Sequence, residues 1–451
     1  MASTYIQRNN GTPDNRKKFT FSFWVKRAKL GTYQYIQGFQ DNGVGDPRIT
    51  LTFRDNDVFE LSEGNSSGTT LGRLRTSRKF RDTSAWYAIT VAVDTTLATA
   101  DDRIKIWVNG VQETAFDNRV NYTQNLDTCI DDNRHTIGAI YNNSLSGYFD
   151  GSLSHYHYCD GYAYQASNFG STDSTTGEWK INTSPSVSYG TNGCFVLKDG
   201  NSVTDQSPNT NNFTAGGTLT KTEDSPSNVF ATMNPLYLSS GSMNLVNGNL
   251  TNNGNSGSAW RSLFSTLGAS SGKYYFEMKV DRINSGDTNN IILGIVSEDQ
   301  TVQTADNGKF FGTSRGYGYH AKDGKKLNND NTTANGVAYG SSWTTNDIIG
   351  CAINLDNHKI YWSKNGTFQA SGVPTSGSTG TGSAFNLTTG YTYLVTVASY
   401  YDDERYSFNF GNGYFGTTAV SSAGTNASGI GIFEYDVPTG YTALSTKGLN
   451  L

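Results

Sequence analysis

Two hairpins set the terms for what this chain can fold into. Residues 103–108 read RIKIWV, with Ile104, Ile106 and Val108 on one face, and lead directly into Asn109-Gly110. Residues 359–364 read KIYWSK and lead into Asn365-Gly366. Apolar residues at every second position define a strand with one buried face. Asn-Gly then closes the strand, because a two-residue type I′ turn needs positive φ at both central positions. Each hairpin also follows a buried run that ends in Asp: WYAITVAVD at 86–94, and IIGCAINLD at 348–356. The two stretches are too diverged to count as a sequence repeat. They predict one architecture used twice, antiparallel sheets packed as a sandwich.

Other runs extend the pattern: FTFSFWV at 19–25, strand candidates at 148–158 and 391–398, KYYFEMKV at 273–280, IILGIV at 291–296 and RYSFNF at 405–410. Between about 165 and 230 the patterning weakens into Ser, Thr, Asn and Gly, with a short apolar island at 194–197. The expected organisation is a β-sandwich at 1–165, a connector with one or two strands at 166–229, and a second β-sandwich at 230–451. Composition agrees. The chain holds 27 Tyr, 23 Phe, 7 Trp and 50 Gly but only 8 Pro, and 16% of it is charged. A disordered chain lacks such aromatics, collagen needs Pro and a Gly-X-Y period, and a helical bundle needs Ala, Glu, Lys and Leu.

The net charge of −5 argues against a general nucleic-acid binder. The densest basic cluster, Arg73, Arg75, Arg78, Lys79 and Arg81, reads as a solvated strand and loop. The four cysteines, Cys129, Cys159, Cys194 and Cys351, form no CxxC pair and are expected as buried thiols of a protein folded in a reducing compartment. The polar start MASTYIQRNN has no signal-peptide core, and no run reaches 18 apolar residues. Membrane insertion and signal-peptide secretion are therefore not expected.

Longer tracts carry resemblances. FTFSFWVKR (19–27), AWYAITVAVD (85–94), RIKIWVNGVQ (103–112) and YFDGSLSHYHYCDG (148–161) resemble a laminin-G-like, concanavalin-A-type jelly roll. NFGSTDSTTGEWK (168–180) and YGTNGCFV (189–196) are similar to tracts that follow such domains in phage structural proteins. SGKYYFEMKV (271–280), LGIV (293–296), GYGYHAKDGKKLNN (316–329), IIGCAINLDNHKIYWSKNGTF (348–368), YSFNFGNGYF (406–415) and VPTGYTALSTKGLNL (437–451) resemble a SPRY (B30.2) domain. The resemblance implies two all-β sandwiches, both from families that mostly bind rather than catalyse, and the pairing implies a phage virion protein.

Each chemical constellation has a plainer reading. Glucanases of the first fold use a Glu-x-Asp-x-x-Glu strand to space an acid and a nucleophile. That pattern is absent here, and Glu434-Tyr435-Asp436 is the nearest fragment. No GxSxG elbow appears, and GTSRGYG at 312–318 lacks the Gly-Lys-Ser/Thr ending of a phosphate loop. No enzymatic activity is expected. His155, His157 and Cys159 alternate along a strand and would share a face, a conceivable soft-metal set without a second ligand pair. Metal ligands are left unassigned and no cofactor is expected. Calcium remains a candidate, because laminin-G-like domains can bind it at one rim; Asp41, Asn42, Asp94, Asp101 and Asp102 are the available oxygens.

For ligand binding, the resemblance implies loops along one rim of the second sandwich. Trp260, Tyr317, Tyr319, Trp343, Tyr400 and Tyr401 are the aromatic candidates there. The function expected is a receptor-binding, tail-fibre type of virion adhesin that binds host surface glycans. The alternative is a capsid decoration or head-fibre protein, and a polysaccharide-degrading enzyme ranks behind both. The expected partners are other virion proteins, a host glycan and further copies of the chain, in a homo-oligomer such as a trimer. The expected location is the virion, assembled in the host cytoplasm.

Overall fold

The structure is a computed structural model, and it describes residues 3–40, 48–130, 134–198, 202–238, 243–255, 257–284, 290–300 and 308–451. The chain forms two compact units, Met1–Lys221 and Thr222–Leu451. Each is all-β, and the described residues contain short 3-10 turns but no α-helix.

In the first unit, an eight-stranded sheet runs Phe116–Val120, Thr70–Lys79, Val58–Gly64, Arg48–Phe53, Gln34–Phe39, Arg134–Ile137, Tyr5–Asn9, Thr214–Gly216. A six-stranded sheet runs Cys194–Val196, Gly151–Asp160, Lys18–Arg27, Trp86–Asp94, Ile104–Val108, Val111–Gln112. Alternation decides what lies between them. Phe19, Phe21, Phe23 and Val25 meet Ile49, Leu51, Phe53, Phe59 and Leu61 in one buried cluster. Burying each such side chain stabilises by roughly 1.5–3 kcal/mol.

The polar stretch after residue 165 completes this unit. Cys194–Val196 pairs with Gly151–Asp160, and Thr214–Gly216 pairs with Tyr5–Asn9, so each becomes an edge strand. A small hairpin, Gly170–Thr172 with Trp179–Ile181, lays Trp179 against Ala92 and Trp107. Trp107 faces away from the sandwich core, and this hairpin is the layer it meets.

The second unit repeats the plan. A seven-stranded sheet runs Met233–Leu238, Arg261–Ala269, Tyr393–Ser399, Ile292–Ser297, Gly316–His320, Lys325–Asn328, Val337–Ala338. The facing sheet runs Met243–Val246, Thr251–Asn255, Arg405–Asn409, Lys273–Arg282, Ile348–Asn354, Lys359–Lys364, Thr367–Phe368, with Phe385–Asn386 and Thr442–Ala443 joining from the side. Thr442–Ala443 pairs in parallel with Lys273–Arg282, while the main path is antiparallel. The core includes Phe276, Met278, Val280, Leu293, Ile295, Ile349, Cys351, Trp362 and Phe408. The expected fold class, two antiparallel β-sandwiches, is what the chain adopts.

Both Asn-Gly turns have the anticipated geometry. Asn109 and Gly110 have φ of 48° and 78°, and Asn365 and Gly366 have 48° and 80°. Each asparagine also does the same second job. Its Oδ1 accepts the backbone N–H of the first residues of the preceding strand, Ala88 in one unit and Ile348 in the other, at 2.8 Å in both. The side chain thus extends the ladder by one rung at the turn. Asn365→Ala is expected to cost about 1–2 kcal/mol, from left-handed strain in a residue that tolerates it less and from two lost hydrogen bonds, to Ile348 N–H and to Asp347 Oδ1. Chemical unfolding measures the loss, and faster amide exchange at Ile348 locates it.

Candidate functional site

Three of the six candidate aromatics come together and three do not. Trp260 precedes the strand Arg261–Ala269, while Tyr400 and Tyr401 lie in the loop between Tyr393–Ser399 and Arg405–Asn409. Tyr401 meets Tyr400 at 4.9 Å between ring centroids and 84°. Tyr400 meets Trp260 at 5.6 Å and 63°, and Trp260 meets Phe311 at 5.1 Å and 70°. Phe311 continues to Phe310 at 5.7 Å and 86°. The row climbs from the fully buried Phe310 and Phe311 to the half-buried Trp260, Tyr400 and Tyr401 at one end of the sandwich. Rings meeting edge to face are attracted beyond their area burial.

Tyr317, Tyr319 and Trp343 are 3%, 0% and 2% exposed and belong to the core. The sequence reading placed them near loops, but Gly316–His320 is an interior strand on which the tyrosines alternate with glycines. Tyr317 pairs with Ile295 and Tyr319 with Leu293. Tyr319 stacks on Trp362 at 5.7 Å, has Trp343 at 5.9 Å, and donates its hydroxyl to the Ser341 carbonyl. These three side chains offer a ligand no outward surface.

A residue not singled out from the sequence holds the rim together. Glu404 is fully buried. Its Oε2 accepts the N–H groups of Tyr400 and Tyr401 at 2.9 and 3.0 Å, and its Oε1 accepts that of Asn290 at 2.7 Å. Ala259 N–H in turn donates to the Tyr400 carbonyl at 2.8 Å. Arg261 reaches back to the Gly257 carbonyl at 2.6 Å, fixing the approach to Trp260. Three loop segments are thereby tied at one point. Burial pushes the Glu404 carboxyl up to about 7, against the pull of its three backbone donors.

Glu277 is a second buried acid of the same kind. It sits on the strand Lys273–Arg282, on the face opposite the core residues Phe276 and Met278. The segment 433–435 covers that face, and Glu277 accepts the N–H groups of Glu434 and Tyr435, both at 2.9 Å, with Tyr275 Oη and Asn409 Nδ2 adding bonds at 3.1 and 3.2 Å. Burial also pushes this carboxyl up to about 7.

The other constellations resolve into structural roles. His155 has φ of 47° at a break in register between Ser154 and His157, so the expected alternation fails there. His157 stacks on Phe195 at 3.9 Å and meets Tyr189 Oη at 2.9 Å, and Cys159 is buried in the same apolar cluster. Among the calcium candidates, Asp94 pairs with Lys18 at 3.1 Å, Asp101 with Arg119 at 3.3 Å and Asp102 with Lys105 at 3.1 Å. Asp41 and Asn42 lie outside the described residues. Among the described residues no group of three or more His, Cys, Asp or Glu side chains is placed to hold a metal.

Four members of the basic cluster pair with acids of the same unit. Arg75 and Arg73 flank the buried Glu60 at 2.6 and 3.7 Å, Arg78 pairs with Glu113 at 2.6 Å, and Arg81 pairs with Asp57 at 3.1 Å. Glu434 and Asp436 staple turns, accepting Ser421 and Thr425. All four cysteines are buried thiols. No helix among the described residues is long and apolar enough to cross a membrane.

Comparison with known proteins gives both units a lineage. Residues 1–161 match the concanavalin A-like lectin/glucanases superfamily, and residues 273–413 match the SPRY domain. The chain thus carries a laminin-G-like, concanavalin-A-like domain followed by a SPRY domain. It is similar to the Ran-binding proteins 9/10 homolog of Drosophila melanogaster, 32% identical over 98 residues, covering 22% of this chain and 9% of that protein. It is also similar to Ran-binding protein 9 of Danio rerio, 34% identical over 99 residues, covering 22% and 15%. The chain therefore spans under a sixth of the length of these two relatives. Among solved structures, the SPRY domain of human HERC1 aligns at a TM-score of 0.31 with 17% identity, covering 39% of this chain and 96% of that one.

These relatives are animal proteins, and they overturn the virion reading. The phage assignment rested on the pairing of two domains and on tracts downstream of the first. No side chain in the structure carries it. The tail-fibre adhesin, the capsid decoration protein, the virion partners, the host-glycan ligand, the fibre-like trimer and the virion location are all set aside with it.

The buried acids set a pH dependence. An unfolded glutamate ionises near 4.5, whereas Glu277 and Glu404 in the folded chain ionise near 7. Between those values the folded chain holds protons that the unfolded chain has released. The contribution of these two carboxyls to stability is then expected to fall as pH rises from about 4.5 to about 7 and to level off above. Asp57 and Asp94, held below the usual carboxylate range, oppose this only at lower pH, whereas His135, His157 and His320, which burial keeps neutral below the usual histidine value, oppose it as pH rises toward about 6.5. Urea midpoints measured across this range for the unmodified chain and for the double variant E277Q/E404Q isolate this contribution, and the stability of the unmodified chain relative to the variant should decline as pH rises to about 7. An unchanged slope in that variant would assign the pH dependence to other groups.

Proposed function

We propose that the chain is a non-catalytic protein-recognition module, and that its SPRY unit grips a protein partner through the rim formed by Trp260, Tyr400 and Tyr401. The observation that carries this reading is the convergence of three half-buried aromatic rings from two separate loops onto one fixed point. Aromatic anchors with a pinned backbone are the economical way to hold a partner, since little side-chain or loop entropy remains to be lost.

Ring geometry favours a protein ligand over a flat one. Neighbouring rings meet at 63° to 84°, which makes a stepped surface suited to apolar side chains. A sugar platform instead needs an open ring face. The named relatives are called Ran-binding, so Ran is the first partner to test, with a displayed library of random linear peptides as the unbiased arm.

Purified Ran, loaded with GDP or GTP, and the library-selected peptides are titrated against the full chain. Trp260→Ala and Tyr400→Ala are each expected to weaken binding about tenfold or more, the usual cost of truncating an aromatic anchor. Tyr162→Ala, at an exposed tyrosine of the first unit, should leave binding unchanged. Ligands that bind all of these variants equally well would remove the rim from the account.

A further inference from the structure

We infer that Glu404 is the positioning residue of this rim, and that its ionised carboxylate couples the shape of the partner-binding surface to protonation. The effect on binding rests on the rim reading above; the effect on the loops does not.

The geometry is specific. Two loops that are more than a hundred residues apart in sequence deliver three backbone N–H groups to the two oxygens of one side chain. Both oxygens act as acceptors. A protonated carboxyl carries an O–H on one of them, which removes the charge and makes that oxygen a poorer acceptor for the amide that points at it. Protonation therefore weakens the three contacts, which are charge-assisted only while the carboxylate is ionised. The oxygen that serves Tyr400 and Tyr401 sets the backbone of both rim tyrosines, and the Tyr400 carbonyl passes the constraint to Ala259, beside Trp260.

The charged and titratable surroundings are few. Asp403, next in the chain, bonds Arg282 at 3.2 Å and disfavours a second negative charge nearby. From the strand Arg405–Asn409, Tyr406 faces Glu404 with its hydroxyl 3.3 Å from Ser399. The strand Thr251–Asn255 contributes the neutral Asn252 amide, bonded to the Glu404 carbonyl at 3.2 Å. Arg261 points to loop carbonyls. No cation bonds the carboxylate among these neighbours, so burial dominates and its ionisation falls near neutrality, at about 7. A surface acid, ionised near 4, would be insensitive over the same range.

The test uses the unmodified full chain, labelled with 15N at tyrosine and asparagine, and follows amide shifts from about pH 5.5 to about pH 8.5. Tyr400, Tyr401 and Asn290 are expected to titrate together with one midpoint near 7, because they share one acceptor. In Glu404→Gln the shared titration should vanish. For any ligand established at the rim, affinity should be about tenfold weaker at the acid end, and the variant should bind weakly at every pH. Amides that stay still, or that titrate separately, overturn the inference whether or not a partner has been found. Shared titration without any ligand that depends on Trp260 upholds the coupling and overturns the binding reading alone.

Discussion

Backbone N–H groups that leave a β-ladder must find another acceptor, and that constraint organises this protein more than any single hydrophobic contact. Sheets satisfy their own backbone, whereas loops in a compact domain do not. This chain answers with buried carboxylates. Glu404 takes three loop amides and Glu277 takes two. Glu63 takes the Cys129 amide at 2.7 Å together with the Tyr122 hydroxyl, and Asp205 takes those of Phe195, Ser207 and Asn211. Each acid is expensive to bury and is repaid only if every donor stays in place.

The same logic explains how one architecture yields two different units. Both use a buried strand, an alternating strand and an Asn-Gly turn whose asparagine adds a rung to the ladder. They differ in what covers the outward faces. In the first unit a small hairpin seats Trp179 against Trp107 and would clash with any side chain at Gly110. In the second, the segment after residue 410 crosses Tyr275, Ala352 and Tyr361 with Phe433, Val437 and Tyr441. With both faces of a sheet engaged, the loop ends of the sandwich remain, and in the second unit the half-buried aromatics gather at one such end.

Much of the fold was legible from period and turn chemistry. Residues 19–25, 273–280 and 405–409 became strands, and Ile104, Ile106 and Val108 share the buried face expected of them. The site was legible only in part. Alternation tells which face a residue takes but not what later covers that face, as segment 433–435 covers Glu277 and a small hairpin covers Trp107. It also fails at a bulge, as His155 shows. Tyr317 and Tyr319, set among glycines, were read as rim residues because the resemblance implies ligand loops along one rim. Those glycines instead leave room on a packed strand, where Gly318 lies against Phe310 and Ile292. Glu404 was hidden within Asp402-Asp403-Glu404, since nothing in a run of three acids marks the one that turns inward. Its position just before the strand Arg405–Asn409, following two loop tyrosines, is the one available hint.

The most direct test of the central claim is native-state hydrogen exchange at the five amides that two carboxylates accept: Asn290, Tyr400 and Tyr401 for Glu404, and Glu434 and Tyr435 for Glu277. If buried carboxylates order these loops, all five should exchange on the order of a hundredfold or more slower than open loop amides, near the rates of adjacent ladder positions. Exchange at the rate of an unprotected loop at these five positions, beside protected strands, would contradict the account.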